Sequence, residues 1–182
     1  DIGRIRERMA DCGEWLIFNH TVADARGRTF KLREAHFCRV RTYPFCQWRR
    51  SLLYTARMLE AMPRIIESAP TMRFIHLTLT VRNVGIADLR GTIGELNRAW
   101  HRMTMRKPVR QILKGFVKSL EVTRGADGSA HPHIHALLLV PEYYFKVRQY
   151  YIKHESWVQL WKEALRLDYS PSVSVQACRQ AQ

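Results

Sequence analysis

The sequence predicts an α+β fold, an antiparallel β-sheet with helices packed on one face, and three observations carry that prediction. In RFIHLTLTVRN, Ile75, Leu77, Leu79 and Val81 share one face while His76, Thr78, Thr80 and Arg82 share the other, the period of two that marks a half-buried strand. Leu89, Ile93, Leu96, Trp100 and Met103 then recur at helical spacing and stop before Pro108. Two strand-like runs follow, GFVKSLEVT from Gly115 and HPHIHALLLV from His131, joined by RGADGSA, whose Ala126-Asp127-Gly128 is a turn signal. The order strand, helix, hairpin continues with a helix over 155–167 and a short alternating strand over 172–177.

The remaining elements are justified in chain order. Residues 1–46 read as an irregular segment containing Cys12, Cys38 and Cys46 among basic residues such as Arg39 and Arg41, and 47–182 as the folded domain. A helix begins at Gln47, with Trp48, Leu52, Ala56 and Leu59 on one stripe, and Pro63 is expected to kink or end it. In the helix over 155–167, Trp157, Leu160, Trp161, Ala164 and Leu165 form the apolar stripe and Ser156 is a candidate early cap. No internal repeat or low-complexity tract interrupts the chain.

Composition excludes other classes. Hydrophobic residues make up 46% of the 182, enough for a core, and no apolar run approaches the ~20 residues that span a bilayer. With 30 Lys and Arg against 16 Asp and Glu the formal net charge is +14, which makes nucleic acid the first polyanion to consider, ahead of an anionic membrane or an acidic protein. Four unevenly spaced cysteines do not make a secreted disulfide framework, so a reducing cytoplasm is the expected compartment. The chain opens on Asp1 without a signal core, and its last strand stops without a cap. Both features suggest a piece of a longer protein.

The densest chemical signal is His131-Pro132-His133-Ile134-His135. On a strand the three histidines share a face, and neighbouring imidazoles at i, i+2 can chelate one ion. If the hairpin centres near Asp127 and Gly128, Glu121 falls opposite His133 or His135 on the same face and supplies a third ligand. Two imidazoles and a carboxylate leave open coordination positions, which a catalytic metal requires, and such a nitrogen and oxygen shell suits Mn, Mg, Zn or non-haem iron. Mn or Mg is the expected ion. Leu120, Val122, Ile134, Ala136 and Leu138 take the opposite face, so the polar set is segregated.

HPHIH followed by ALLLV resembles the His-hydrophobic-His motif of the HUH endonucleases, and the likeness extends along the chain. FIHLTLTVRN resembles the first motif of plasmid-type rolling-circle replication initiators, LNRAWHRM the helix after it, KSLEVTRG the strand that supplies the carboxylate, and YYIKHESWVQLWKEAL the segment after the HUH strand. The resemblance implies a ferredoxin-like sheet with the metal on its exposed face. It also implies sequence-specific nicking and joining of single-stranded or hairpin origin DNA through a phosphotyrosine, in a bacterial cytoplasm with host helicase and polymerase as partners. An HUH transposase or relaxase, or a nuclease-dead module that binds an origin without cutting it, are the alternatives.

The metal ligands implied by the family match His133, His135 and Glu121; the nucleophile has no match. The family's tyrosine follows the strand that appears here as SVSVQA, so it is expected beyond Gln182, and Tyr143, Tyr144, Tyr150, Tyr151 and Tyr169 fall in segments the family uses for packing. Tyr143, Tyr144 and Phe145 are the aromatics best placed to stack a base, with packing as their other reading. HFCRVRTYPFCQWRR resembles a cysteine-rich stretch of the same initiators, with Tyr43 where a further cysteine stands. Cys12, Cys38 and Cys46 are thus either a zinc site, one ligand short unless His20 or His36 substitutes, or plain thiols; Cys178 is assigned nothing. Arg82, Arg98, Arg102, Arg106 and Lys107, with Arg73, are the candidate phosphate contacts.

Overall fold

The computed structural model describes residues 2–24, 27–40 and 43–178, which leaves Arg41 and everything after Cys178 outside the description. The chain divides into two compact units, Asp1–Ser68 and Ala69–Gln182, so the boundary falls after the long helix rather than before it.

The first unit is not irregular. It holds α1 (Ile2–Ala10), an antiparallel hairpin of β1 (Leu16–Asp24) and β2 (Gly27–Ala35), and α2 (Pro44–Ser68). The strands escape a periodicity search because Leu16, Ile17 and Phe18 are consecutive and all partly exposed, so no alternation of apolar and polar residues marks them. Their register shifts between Ile17 and Phe18 and again between Thr21 and Asp24, which blurs the pattern further. Helix α2 starts three residues earlier than the expected Gln47, with Pro44 in its first turn, where a missing N–H costs nothing. It also runs on through Pro63. The bond that Pro63 cannot make leaves the Leu59 carbonyl on a solvent-exposed turn, where water can satisfy it.

The second unit follows the expected order: β3 (Met72–Thr80), α3 (Leu89–Met105), α4 (Lys107–Ile112), β4 (Gly115–Arg124), β5 (Ala130–Pro141), α5 (Tyr143–Lys146), α6 (His154–Leu165) and β6 (Val173–Ala177). The four strands lie in the order β4-β5-β3-β6, every pair antiparallel, which is the split β-α-β-β-α-β arrangement of ferredoxin-like α+β folds. Lys153 rather than Ser156 stands at the N-cap of α6, and no side chain caps that end.

Alternation along the two central strands builds the core. Ile75, Leu77 and Leu79 of β3 and Ile134, Ala136, Leu138 and Val140 of β5 are buried under Leu96, Ala99, Trp100 and Met103 of α3 and Trp157, Trp161, Ala164 and Leu165 of α6. Each fully buried Ile, Leu, Val or Met among them contributes roughly 1.5–3 kcal/mol of transfer free energy. Trp157 and Trp161, one turn apart, are both completely buried, and Trp161 Nε1–H donates to the Thr80 carbonyl at 2.9 Å, fixing α6 over the end of β3. Both helices therefore occupy one face of the sheet, and no described helix of this unit packs on the other, open face. No helix among the described residues is long and apolar enough to cross a membrane.

Candidate metal centre and its surroundings

The hairpin loop sets the register on which the site depends. Gly125 N–H donates to the Ser129 carbonyl at 2.8 Å, and Gly128 takes φ +80°, a conformation glycine adopts without cost. Arg124 is thereby paired with Ala130, and three pairs further along Glu121 stands directly opposite His133. A β-carbon on Gly125 would come within 2.6 Å of both Asp127 Oδ1 and Ser129 Oγ, so a side chain there would displace the polar groups of the turn.

On the open face, His133 and His135 of β5 meet Glu121 of β4. The Nε2 atoms of His135 and His133 lie 3.1 and 3.4 Å from the same Glu121 oxygen, and one donor atom from each residue falls within 4.8 Å of the others. Ligands bonded at ~2.1 Å to one ion at near-right angles would stand roughly 3 Å apart, so the donor set fits a divalent cation. The nitrogens that face away are engaged. His133 Nδ1 lies 3.1 Å from the His131 carbonyl, which can only accept, so Nδ1 carries the proton and Nε2 presents its lone pair to the site. His135 Nδ1 lies 3.2 Å from Thr78 Oγ1, and its ring stacks on His76 with centroids 5.6 Å apart. Burial grades across the three ligands: the side chains of His133, His135 and Glu121 are 12%, 33% and 54% exposed, so the site is rooted in the sheet and opens to solvent on its carboxylate side. His131 stands apart, its Nδ1 2.7 Å from Asn83 Oδ1.

Thr78 and His76 were legible only as polar positions of a strand. What gives them a role is the pairing of Thr78 with His135 in the register of β3 and β5, which joins residues far apart in the chain. Asn83 is a third such residue. It bridges Ser129 in the turn, at 2.9 Å, to His131.

The basic residues do not gather on this face. Arg98 and Arg102 lie on α3, in the helical layer, and both pair with Glu95; Arg102 also donates to the Ala164 carbonyl at 2.7 Å, and Arg106 reaches Glu163 at 2.6 Å. Hydrogen bonds from Arg102 and Arg98 hold the Glu95 carboxyl below the usual carboxylate range. Lys107 opens α4. Arg82 lies two residues past β3, whose last residue, Thr80, pairs with His133; its N–H donates to the Tyr169 hydroxyl at 3.0 Å and its guanidinium lies 3.9 Å over that ring.

Four of the five downstream tyrosines sit past Pro141, beyond the far end of β5. At ~3.3 Å per residue, the end of that strand at Pro141 is itself roughly 20 Å from His135. Tyr143 donates to the Gln111 carbonyl and Tyr144, buried, to that of Ile152, while Tyr150 and Tyr151 pack on those two rings. Burial pushes the Tyr144 hydroxyl above its ordinary pKa. Tyr169, at the metal end of the sheet, is tied to Arg82.

In the first unit the structure draws Cys12, Cys38 and Cys46 into one cluster. Burial, chiefly, pushes the Cys12 thiol up to about 11; for Cys38 burial acts in the same direction but is outweighed by the Val40 N–H, its two thiol neighbours and Arg8, leaving it lowered. Neither candidate histidine joins them. His36 Nδ1 faces the Asp11 carbonyl at 3.0 Å and its ring stacks on Trp15, and His20 lies edge-on to Phe30. Cys178 is exposed.

Comparison with known proteins finds replication proteins. The family described as Replication protein matches residues 29–182. The chain is 34% identical over 176 residues to Protein rep of Streptococcus pneumoniae serotype 2, covering 96% of this chain and 54% of that protein. To Protein rep of Lentilactobacillus hilgardii it is 37% identical over 172 residues, 94% of this chain and 54% of the relative. To Protein rep of Staphylococcus aureus it is 34% identical over 173 residues, 94% and 74% respectively. The chain thus spans about half the length of the first two relatives. No solved structure matches it.

Proposed function

The chain belongs to the Replication protein family of plasmid replication initiators, and from that premise we propose that its second unit is the metal-dependent nicking site of a rolling-circle initiator. The observation that carries the proposal is the convergence of His133 Nε2, His135 Nε2 and a Glu121 oxygen on the open face of the sheet. A divalent cation bound there, Mn or Mg, supplies Lewis acidity at a scissile phosphate and neutralises developing charge. The chain's own residues do the rest of the positioning. The His131 carbonyl fixes the tautomer of His133, Thr78 and His76 hold the ring of His135, and the turn around Gly125 keeps β4 in register so that Glu121 faces both. The substrate is single-stranded or hairpin origin DNA, cut and rejoined through a 5′-phosphotyrosine that leaves a free 3′-hydroxyl. The attacking tyrosine is supplied from outside residues 143–169, and host helicase and polymerase act on the nicked product.

A second reading rests on one observation: every tyrosine in that stretch is hydrogen-bonded to, or packed on, other residues. This stretch of chain alone would then recognise and grip origin DNA without cutting it. Titration with Mn, followed by calorimetry, tests the site. The parent should bind one ion, and His133→Ala and His135→Ala, folded by circular dichroism, should each lose most of that affinity. Parent-like Mn binding in both variants would remove the basis of the proposal.

A further inference from the structure

The first unit is poor in core. Among its described residues only Cys38 and Val40 are buried hydrophobics, and neither α1 nor α2 contributes one. A unit of this size without a core needs another staple. The three cysteines stand where one would act: Cys12 in the turn after α1, Cys38 after β2, and Cys46 in the first turn of α2. Cys46 Sγ lies 3.5 Å from Cys12 Sγ and 3.4 Å from Cys38 Sγ. A disulfide would require ~2.05 Å. Two bonds of ~2.3 Å to a tetrahedral ion would put sulfurs roughly 3.8 Å apart, close to the spacing seen.

The backbone is shaped around these sulfurs. Arg39 takes φ +54°, which a side chain other than glycine rarely adopts, and that turn aims the Val40 N–H at Cys38 Sγ, 3.5 Å away. Cys38 N–H points at Cys12 Sγ at 3.4 Å. Arg8 donates to the Cys38 carbonyl, and Gly13 N–H to the His36 carbonyl at 2.7 Å, so both neighbours of the cluster are pinned to each other. Donors directed at sulfur are the outer partners that a bound thiolate uses.

We propose that Cys12, Cys38 and Cys46 hold a zinc ion as three thiolates, the fourth position being filled by water, and that this ion is the structural staple of the first unit. On binding, three S–H bonds give three Zn–S bonds and three protons pass to solvent. The ion replaces hydrophobic burial by tying the end of one helix, the exit of the hairpin and the start of the next helix to one point.

The test uses the 182-residue chain kept reduced. Cobalt(II) should bind with an intense sulfur-to-cobalt charge-transfer band, which a site of two histidines and a glutamate cannot give, and zinc should bleach it. Zinc should shield Cys12, Cys38 and Cys46 from iodoacetamide, read by peptide mass spectrometry, while Cys178 alkylates freely; a chelator should abolish the shielding. His133→Ala and Cys178→Ser should keep the band and Cys46→Ser should lose it. No charge-transfer band in the reduced parent, shielding indifferent to the chelator, or an oxidised pair in place of the metal would each overturn the proposal. Because the parent spectrum and shielding decide, a Cys46→Ser protein that fails to fold does not rescue it.

Discussion

Thr78 Oγ1 lies 3.2 Å from Nδ1 of His135, directly across the register of β3 and β5. The hydroxyl acts on the ring nitrogen that points away from Glu121, so it orients the imidazole without touching the ligand side. Partners of this kind typically govern metal affinity by ten- to a hundredfold. Thr78→Val keeps shape and removes the hydroxyl. Its Mn affinity should fall by about tenfold or more with the fold intact, whereas Thr78→Ser should stay near the parent; calorimetric titration of the three proteins checks this.

Arg82 and the pair Arg98 with Arg102 should behave differently toward DNA. The pair sits in the helical layer and already faces Glu95, while Arg82 follows the strand that borders the ligands. Removing a cation that neutralises one phosphate lowers the salt slope of binding by about one. Arg82→Ala should reduce the slope measured with a single-stranded oligonucleotide, and Arg98→Ala with Arg102→Ala should reduce it less while lowering thermal stability. The reverse order of slopes would assign the DNA-binding surface to α3.

The same pair makes stability depend on acid. Hydrogen bonds from Arg102 and Arg98 hold the Glu95 carboxyl below its unfolded value, so the folded state binds its proton more weakly than the unfolded one. The stabilisation is complete above the ordinary carboxylate range near ~4.3 and is lost as the pH falls through the lowered folded value. Glu95→Gln should therefore cost stability at pH 7 and converge on the parent in strong acid. Urea midpoints at the two pH values check the convergence.

The downstream tyrosines should not form a DNA adduct. Tyr143 and Tyr144 donate to backbone carbonyls at the far end of β5, Tyr150 and Tyr151 pack on them, and Tyr169 accepts from Arg82 N–H. Protein mixed with labelled single-stranded origin DNA and Mn should run on a denaturing gel without a slow, protease-sensitive band. A band abolished by changing any one of these residues to Phe would identify the nucleophile among them.

Much of the second unit was determined by the sequence itself, because its strands and helices carry their burial pattern locally. Isoleucine and leucine at every second position of β3 and β5, and tryptophans one turn apart in α6, leave one way to bury the apolar face, and the turn at Asp127-Gly128 then places Glu121 opposite the histidines. Three things belonged to the tertiary structure alone. The first unit's hairpin has no apolar alternation to read, since Leu16, Ile17 and Phe18 are all partly exposed. The ion pair of Arg106 with Glu163 and the hydrogen bond from Arg102 to the Ala164 carbonyl depend on how the end of α3 packs on α6, which charge count does not reveal. Thr78 meets His135, and Cys12 meets Cys38 and Cys46, only once strand pairing and chain reversal have closed the long separations between them. Periodicity measures what a residue does to its own helix or strand, whereas these meetings arise between elements, where register and packing decide.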